Sequence, residues 1–188
     1  MEYVILVDSD DRAIGRSEKH AAHRGDGKRH RAFSVFLFDA FDQLLLQQRA
    51  TAKYHFGGLW SNSCCGHPRP GETVMEAARR RTREELGISV PPLRHCFAHS
   101  YEATDPGSGL TEREIDHVFV GYLAQGDSTS VRTATEQNSI PFDRDEIENI
   151  RWNSISDLQE NVAREPGSYT PWLIGILPQL TSFLATEM

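Results

Sequence analysis

Residues 3–7, YVILV, form an unbroken apolar run that ends in Asp8-Ser9-Asp10-Asp11, the pattern of a strand and its turn. Residues 13–19 read as a second strand, and the polar stretch 20–31, with Gly25 and Gly27, as a loop. Residues 32–38, AFSVFLF, are almost continuously apolar, as expected of a central strand. A turn at 39–42 leads into the Leu-rich stretch 43–49, its expected hairpin partner. The period then changes. Over 72–86, Val74, Ala77, Ala78 and Leu86 recur at helical spacing, prolines precede them, and Gly87 stands where a left-handed residue ends a helix. Further strands are expected at 94–103, 115–123 and 148–152, and helices at 154–164, capped by Ser154 or Ser156, and 171–185. Residues 126–141 read as a polar excursion. Strands with helices set among them predict an α+β fold, and 188 residues suit one domain, 1–188, with one core.

Composition narrows the class without naming a function. Apolar and charged fractions of 38% and 25% are those of a soluble globular protein. No apolar run approaches the ~18 residues of a membrane span, and the acidic start lacks a basic signal region, so a cytoplasmic location is expected. Three cysteines, two of them adjacent, make a poor disulfide framework and fit a reducing compartment. The net charge of −7 is uneven: residues 1–94 carry 15 Lys/Arg against 12 Asp/Glu, and residues 95–188 carry 5 against 15. Basic clusters at Lys28, Arg29 and Arg31, at Arg49 and Lys53, and at Arg79 to Arg83 leave room for a small anionic ligand within an acidic whole that disfavours nucleic acid. A monomer or weak homodimer is expected, with no membrane partner.

The densest chemistry lies in SNSCCGHPRPGE, residues 61–72. A metal clip, a nucleophile, an acid/base site and a tight turn are all open to it. Gly66, five residues, Glu72, seven residues and then RRTREELGI, 80–88, follow the spacing of a Nudix box, a loop-helix-loop whose glutamates hold divalent metal against a diphosphate. Arg81 stands where that box has an acid, and Thr82 where it has an aliphatic residue, which argues against hydrolysis. EKHAAH (18–23), RHRAF (29–33), WSNSCCGHP (60–68), YEATD (101–105), ERE (112–114) and Pro171-Trp172 complete the pattern. In this order the chain resembles the type 1 isopentenyl-diphosphate delta-isomerases of the Nudix superfamily. The resemblance implies a Nudix-type mixed sheet flanked by helices.

Taken alone, His23, His30 and His67 are ordinary histidines, and Glu112 and Glu114, two apart, share one face of a strand. The resemblance implies that these five hold one divalent ion. Three nitrogens with carboxylate oxygens suit Mn²⁺ or Mg²⁺, and Zn²⁺ accepts the same donors. It also implies isomerisation of isopentenyl diphosphate to dimethylallyl diphosphate in isoprenoid biosynthesis, through a carbocation-like intermediate. Cys65 and Glu114 are then the acid/base pair and Tyr101 the partner of Glu114. Trp172 is the aromatic facing the cation, and Lys19, Arg49, Lys53 and Arg81 hold the diphosphate. A second ion, Mg²⁺, bridges diphosphate to Glu85 and the Cys65 carbonyl. Cys64, if the stretch is extended, points away from Cys65. A Nudix hydrolase and a metal-stabilised binding module without catalysis are the rival readings.

Overall fold

The computed structural model describes residues 2–123 and 140–187. The expected polar excursion at 126–141 falls almost wholly outside them. Among the described residues nine strands form one mixed sheet. They are β1 (Tyr3–Val7), β2 (Ala13–Glu18), β3 (His30–Phe38), β4 (Leu44–Arg49), β5 (Trp60–Ser61), β6 (Cys64–Gly66), β7 (Leu93–Thr104), β8 (Thr111–Tyr122) and β9 (Ile147–Asn153). The helices are α1 (Lys19–Ala22), α2 (Val74–Leu86), α3 (Ile155–Arg164) and α4 (Pro171–Glu187). The α+β class and the Nudix-type sheet are as expected from the sequence.

β3 organises the molecule. β8 runs parallel to it over the full length, from His30 opposite Glu114 to Phe38 opposite Tyr122. A strand has only two edges, so β1, β6 and β4 share the other. β1 meets it at Leu6–His30, β6 at residues 33–35, and β4 at Phe38–Leu44. The hairpin expected between β3 and β4 is therefore reduced to one pairing, and the long ladder of β4 is with β9. The second strand stops at Glu18, because its carboxylate accepts from the backbone of His20 and Ala21 and starts α1 at Lys19, the last residue read as strand, from which it runs into the stretch read as loop.

The apolar run of β3 is buried on both faces. Phe33, Val35 and Leu37 join Leu45, Cys64, Ala77, Ala78 and Leu86 beneath α2. Phe36 and Phe38 join Val118, Val120, Leu158, Leu173, Ile176 and Leu180 beneath α3 and α4. Each fully buried side chain contributes about 1.5–3 kcal/mol of transfer free energy. α2 begins at Val74, two residues later than the expected start at Glu72, because Thr73 and Glu76 cap it reciprocally. Gly87, at φ 63°, ends it in the left-handed region. Ser154, not Ser156, caps α3 by accepting from the Asp157 amide.

Candidate active site

Strand alternation sets the wall of the site. On β8, Glu112, Glu114 and Asp116 project to the same face as Val118 and Val120, beneath α4. On β6 the alternation separates the vicinal cysteines. Cys64 is buried in the core under α2, whereas Cys65 packs on the α4 side and lines a pocket with Glu112, Glu114, Tyr101 and Trp172. Cys96, on β7, lies outside that lining.

His23, His30, His67, Glu112 and Glu114 converge, one ligand atom from each lying within 4.8 Å of all the others. His23 Nδ1 donates to the Lys19 carbonyl at 2.6 Å, and His30 Nδ1 to the Lys28 carbonyl at 2.7 Å. A carbonyl only accepts, so both Nδ1 atoms carry a proton, and Nε2 of each ring is left to face the carboxylates. His23 Nε2 lies 2.8 Å from Glu112 Oε2, and His30 Nε2 lies 3.1 Å from Glu114 Oε1. His67 Nε2 lies 2.7 Å from Glu114 Oε1 and 3.1 Å from His30 Nε2. Imidazole nitrogens and carboxylate oxygens converging in a buried site are the donor set of a divalent ion, and carbonyls fixing the far ring nitrogens are the usual support of metal-bound histidines. The donor set therefore fits a divalent ion. Burial pushes His67 down to about 3, so its ring is neutral and available at neutral pH.

Glu114 divides its carboxylate. Oε1 faces the histidines, while Oε2 accepts from the Tyr101 hydroxyl at 2.5 Å across the β7–β8 ladder, where the two residues are directly opposite. Burial and the charge of Glu112 push the Glu114 carboxyl up, but hydrogen bonds from His30 and His67 hold it below the usual carboxylate value. Cys65 behaves oppositely. Burial pushes its thiol up to about 12 against the nearby Arg49, so the thiol keeps its proton. Arg49 Nη1 lies 3.8 Å from Cys65 Sγ, and the guanidinium sits 5.3 Å from the centre of the Trp172 ring. The Phe56 and His55 carbonyls accept from it at 3.1 and 3.2 Å and fix its position. Trp172 enters on the first turn of α4, and its indole N–H donates to Ser61 Oγ and Asn62 Oδ1 at 3.0 and 3.1 Å.

Toward the mouth, Lys19, Lys53, Arg81 and Glu85 line the same pocket. Lys19 Nζ is 3.0 Å from Glu2, Lys53 is ion-paired with Glu146, and Arg81 reaches Glu84, Glu85 and Glu146. The structure thus brings every residue expected to act in catalysis, metal binding or substrate binding to one pocket or to the five-ligand cluster beside it. It also adds residues that the sequence reading missed. Asp116 follows the i, i+2 logic that marked Glu112 and Glu114. Ser34 Oγ donates to its Oδ2 at 2.7 Å, and burial, then the charge of Glu114, push its carboxyl well up. His55 Nε2 reaches the second oxygen of Glu112, but it lies in an irregular loop where no periodicity marks it.

The NUDIX domain family matches residues 28–173, so the fold and this helix-flanked site define a NUDIX-domain protein. A Deinococcus radiodurans crystal structure has the same fold at a TM-score of 0.64 and 22% identity, over 87% of this chain and 90% of that one. An isopentenyl-diphosphate delta-isomerase of Streptomyces avermitilis is 44% identical over 172 residues, 92% of this chain and 80% of its own. One from Serratia proteamaculans is 43% identical over 179 residues, 95% of this chain and 91% of its own. The chain belongs to the isopentenyl-diphosphate delta-isomerase family.

Proposed function

We propose that this chain, acting as one domain over 1–188, converts isopentenyl diphosphate to dimethylallyl diphosphate. The observation that carries the reading is the Cys65 thiol and the Glu114 carboxylate lining one pocket in a member of this family, with burial favouring the protonated thiol. The shift of the double bond adds a proton at the terminal methylene, leaves a tertiary carbocation, and removes a proton from the carbon next to the oxygen-bearing one. No carbonyl stabilises charge along this path, so an acid and a base must flank the substrate with water excluded. Cys65 and Glu114 are that pair, holding one transferable proton between them, and the roles exchange in the reverse reaction. Tyr101 donates its hydroxyl hydrogen to Glu114 Oε2 and so orients the carboxyl group toward the substrate. Trp172 offers its ring face to the cation, worth ~2 kcal/mol when desolvated.

His23, His30, His67, Glu112 and Glu114 would hold Mn²⁺, with Zn²⁺ or Mg²⁺ as the other candidates. Such an ion supplies charge that tunes the acidity of the Glu114 carboxyl. Lys19, Arg49, Lys53 and Arg81 anchor the diphosphate, with Mg²⁺ held by Glu85 and the Cys65 carbonyl. Arg81, in place of an acid of the box, binds phosphate rather than metal and takes the site away from hydrolysis. The protein works in the cytoplasm on a small-molecule diphosphate, as a monomer or weak homodimer, without nucleic acid or membrane. Among the described residues no helix is long and apolar enough to cross a membrane.

The test is the conversion of isopentenyl diphosphate by the wild type, Cys65→Ser and Glu114→Gln. Loss of about 10²–10⁴-fold in kcat from either change, with the fold kept, is the size expected of a proton-transfer group. Release of phosphate by the wild type without isomerisation would favour the hydrolase.

A further inference from the structure

Lys53 and Arg81, two of the four cations assigned above to the diphosphate, already share one anion. Glu146 Oε2 is ion-paired with Lys53 Nζ, and its Oε1 lies 3.2 Å from Arg81 Nη2. The carboxylate is held from behind. The Glu146 carbonyl accepts from the Ala50 amide at 3.0 Å, its own amide donates to the Asp143 carbonyl at 3.1 Å, and the Asp143 amide donates to the Glu85 carbonyl at 2.8 Å. These bonds tie the residue preceding β9 both to the turn that carries Lys53 and to the end of α2. Lys53, Arg81 and Glu146 side chains are 19%, 21% and 24% exposed, so the cluster lies at the pocket mouth and is reachable by an entering ligand. Although burial works against it, the bond from Lys53 and the charge of Arg81 bring the Glu146 carboxyl down to about 2.

An arriving diphosphate carries several negative charges and needs the same two cations. It must replace Glu146 on Lys53 and Arg81, and the backbone bonds keep the displaced carboxylate close by. Two anions then face each other unless a divalent ion accompanies the phosphate. We infer that Glu146 is a built-in substitute for a phosphate group. It keeps Lys53 and Arg81 aligned between substrates, and its displaced charge makes diphosphate capture depend on an accompanying divalent ion. Glu146 is a positioning residue, since it acts through the two cations and not on the reacting carbons. The inference rests on the proposal that Lys53 and Arg81 hold the diphosphate.

Titration calorimetry with inorganic pyrophosphate tests both, using protein loaded at its histidine-glutamate site, in Mg²⁺-free and Mg²⁺-containing buffer. Glu146→Gln keeps the size and an acceptor oxygen but removes the charge. It is expected to bind pyrophosphate about tenfold more tightly than the wild type without Mg²⁺, the size of one removed like-charge contact. With Mg²⁺ the two proteins should converge. Glu146→Asp, which keeps the charge, should retain the wild-type dependence on Mg²⁺. Equal or weaker Mg²⁺-free binding by a folded Glu146→Gln protein would overturn the inference and make Glu146 a structural ion pair. If Lys53→Ala and Arg81→Ala bind pyrophosphate as the wild type does, the diphosphate assignment itself fails, and the inference with it.

Discussion

Removing the ion from the five-ligand cluster should lower stability by an amount that follows from binding alone. Three histidines and two glutamates meet in a buried site where the Nε2 atoms of His23 and His30 face carboxylate oxygens. The folded chain would therefore hold an ion in a geometry that the unfolded chain lacks. At free Mn²⁺ one hundredfold above its Kd, the folded state gains about 2.7 kcal/mol. Unfolding entropy of ~2.1 cal/mol/K per residue over 188 residues is roughly 0.4 kcal/mol/K, so Tm should rise by about 7 °C. The assay is thermal unfolding of chelated and Mn²⁺-loaded protein side by side. Metal ligands must be free of protons, so the shift should grow between pH 5 and pH 8. Glu112→Gln should lose most of it, because the amide brings neither the charge nor a second equivalent oxygen. A shift below about 1 °C, or the same shift in Glu112→Gln, would refute the assignment of these residues to one ion.

Three further outcomes follow from the same geometry. The Cys65 thiol is raised from 9 to about 12, so alkylation by iodoacetamide should be slow at pH 8 and rise only toward pH 12. Because the folded state favours the neutral thiol, its contribution to stability is complete below pH 9 and is lost as the pH rises from 9 to 12; fast labelling at pH 7 would contradict this burial. Glu85→Gln should weaken Mg²⁺-dependent pyrophosphate binding about tenfold while metal content at the histidine-glutamate site stays unchanged, as read by elemental analysis beside calorimetry. Phe36, fully buried between β3 and α4, should cost about 3–5 kcal/mol in urea unfolding when changed to Ala.

What could be read from the sequence was set by periodicity. The apolar run of β3 and the helical spacing of α2 are strong local signals, and both elements form where expected. β5 and β6 are two and three residues long, too short for any period to show, although β6 carries Cys65. The parallel pairing of β3 with β8 joins residues 84 apart in sequence, such as His30 and Glu114, and no local pattern reports it. On the other edge of β3, β6 pairs with residues 33–35 and leaves the expected β3–β4 hairpin a single pairing. The cluster was legible as spacing on β8 and as resemblance elsewhere. Asp116 was within reach of the same strand logic, whereas His55 and Glu146 act from irregular segments where only the folded chain shows their partners.

Proton transfer to an unactivated double bond is the central claim, and D₂O reports it directly. Isopentenyl diphosphate is incubated with the metal-loaded protein and Mg²⁺ in D₂O, and the product is followed by NMR. The account predicts dimethylallyl diphosphate carrying deuterium in a methyl group, formed by the wild type and absent with Cys65→Ser. Product without deuterium, or full activity in Cys65→Ser, would contradict it.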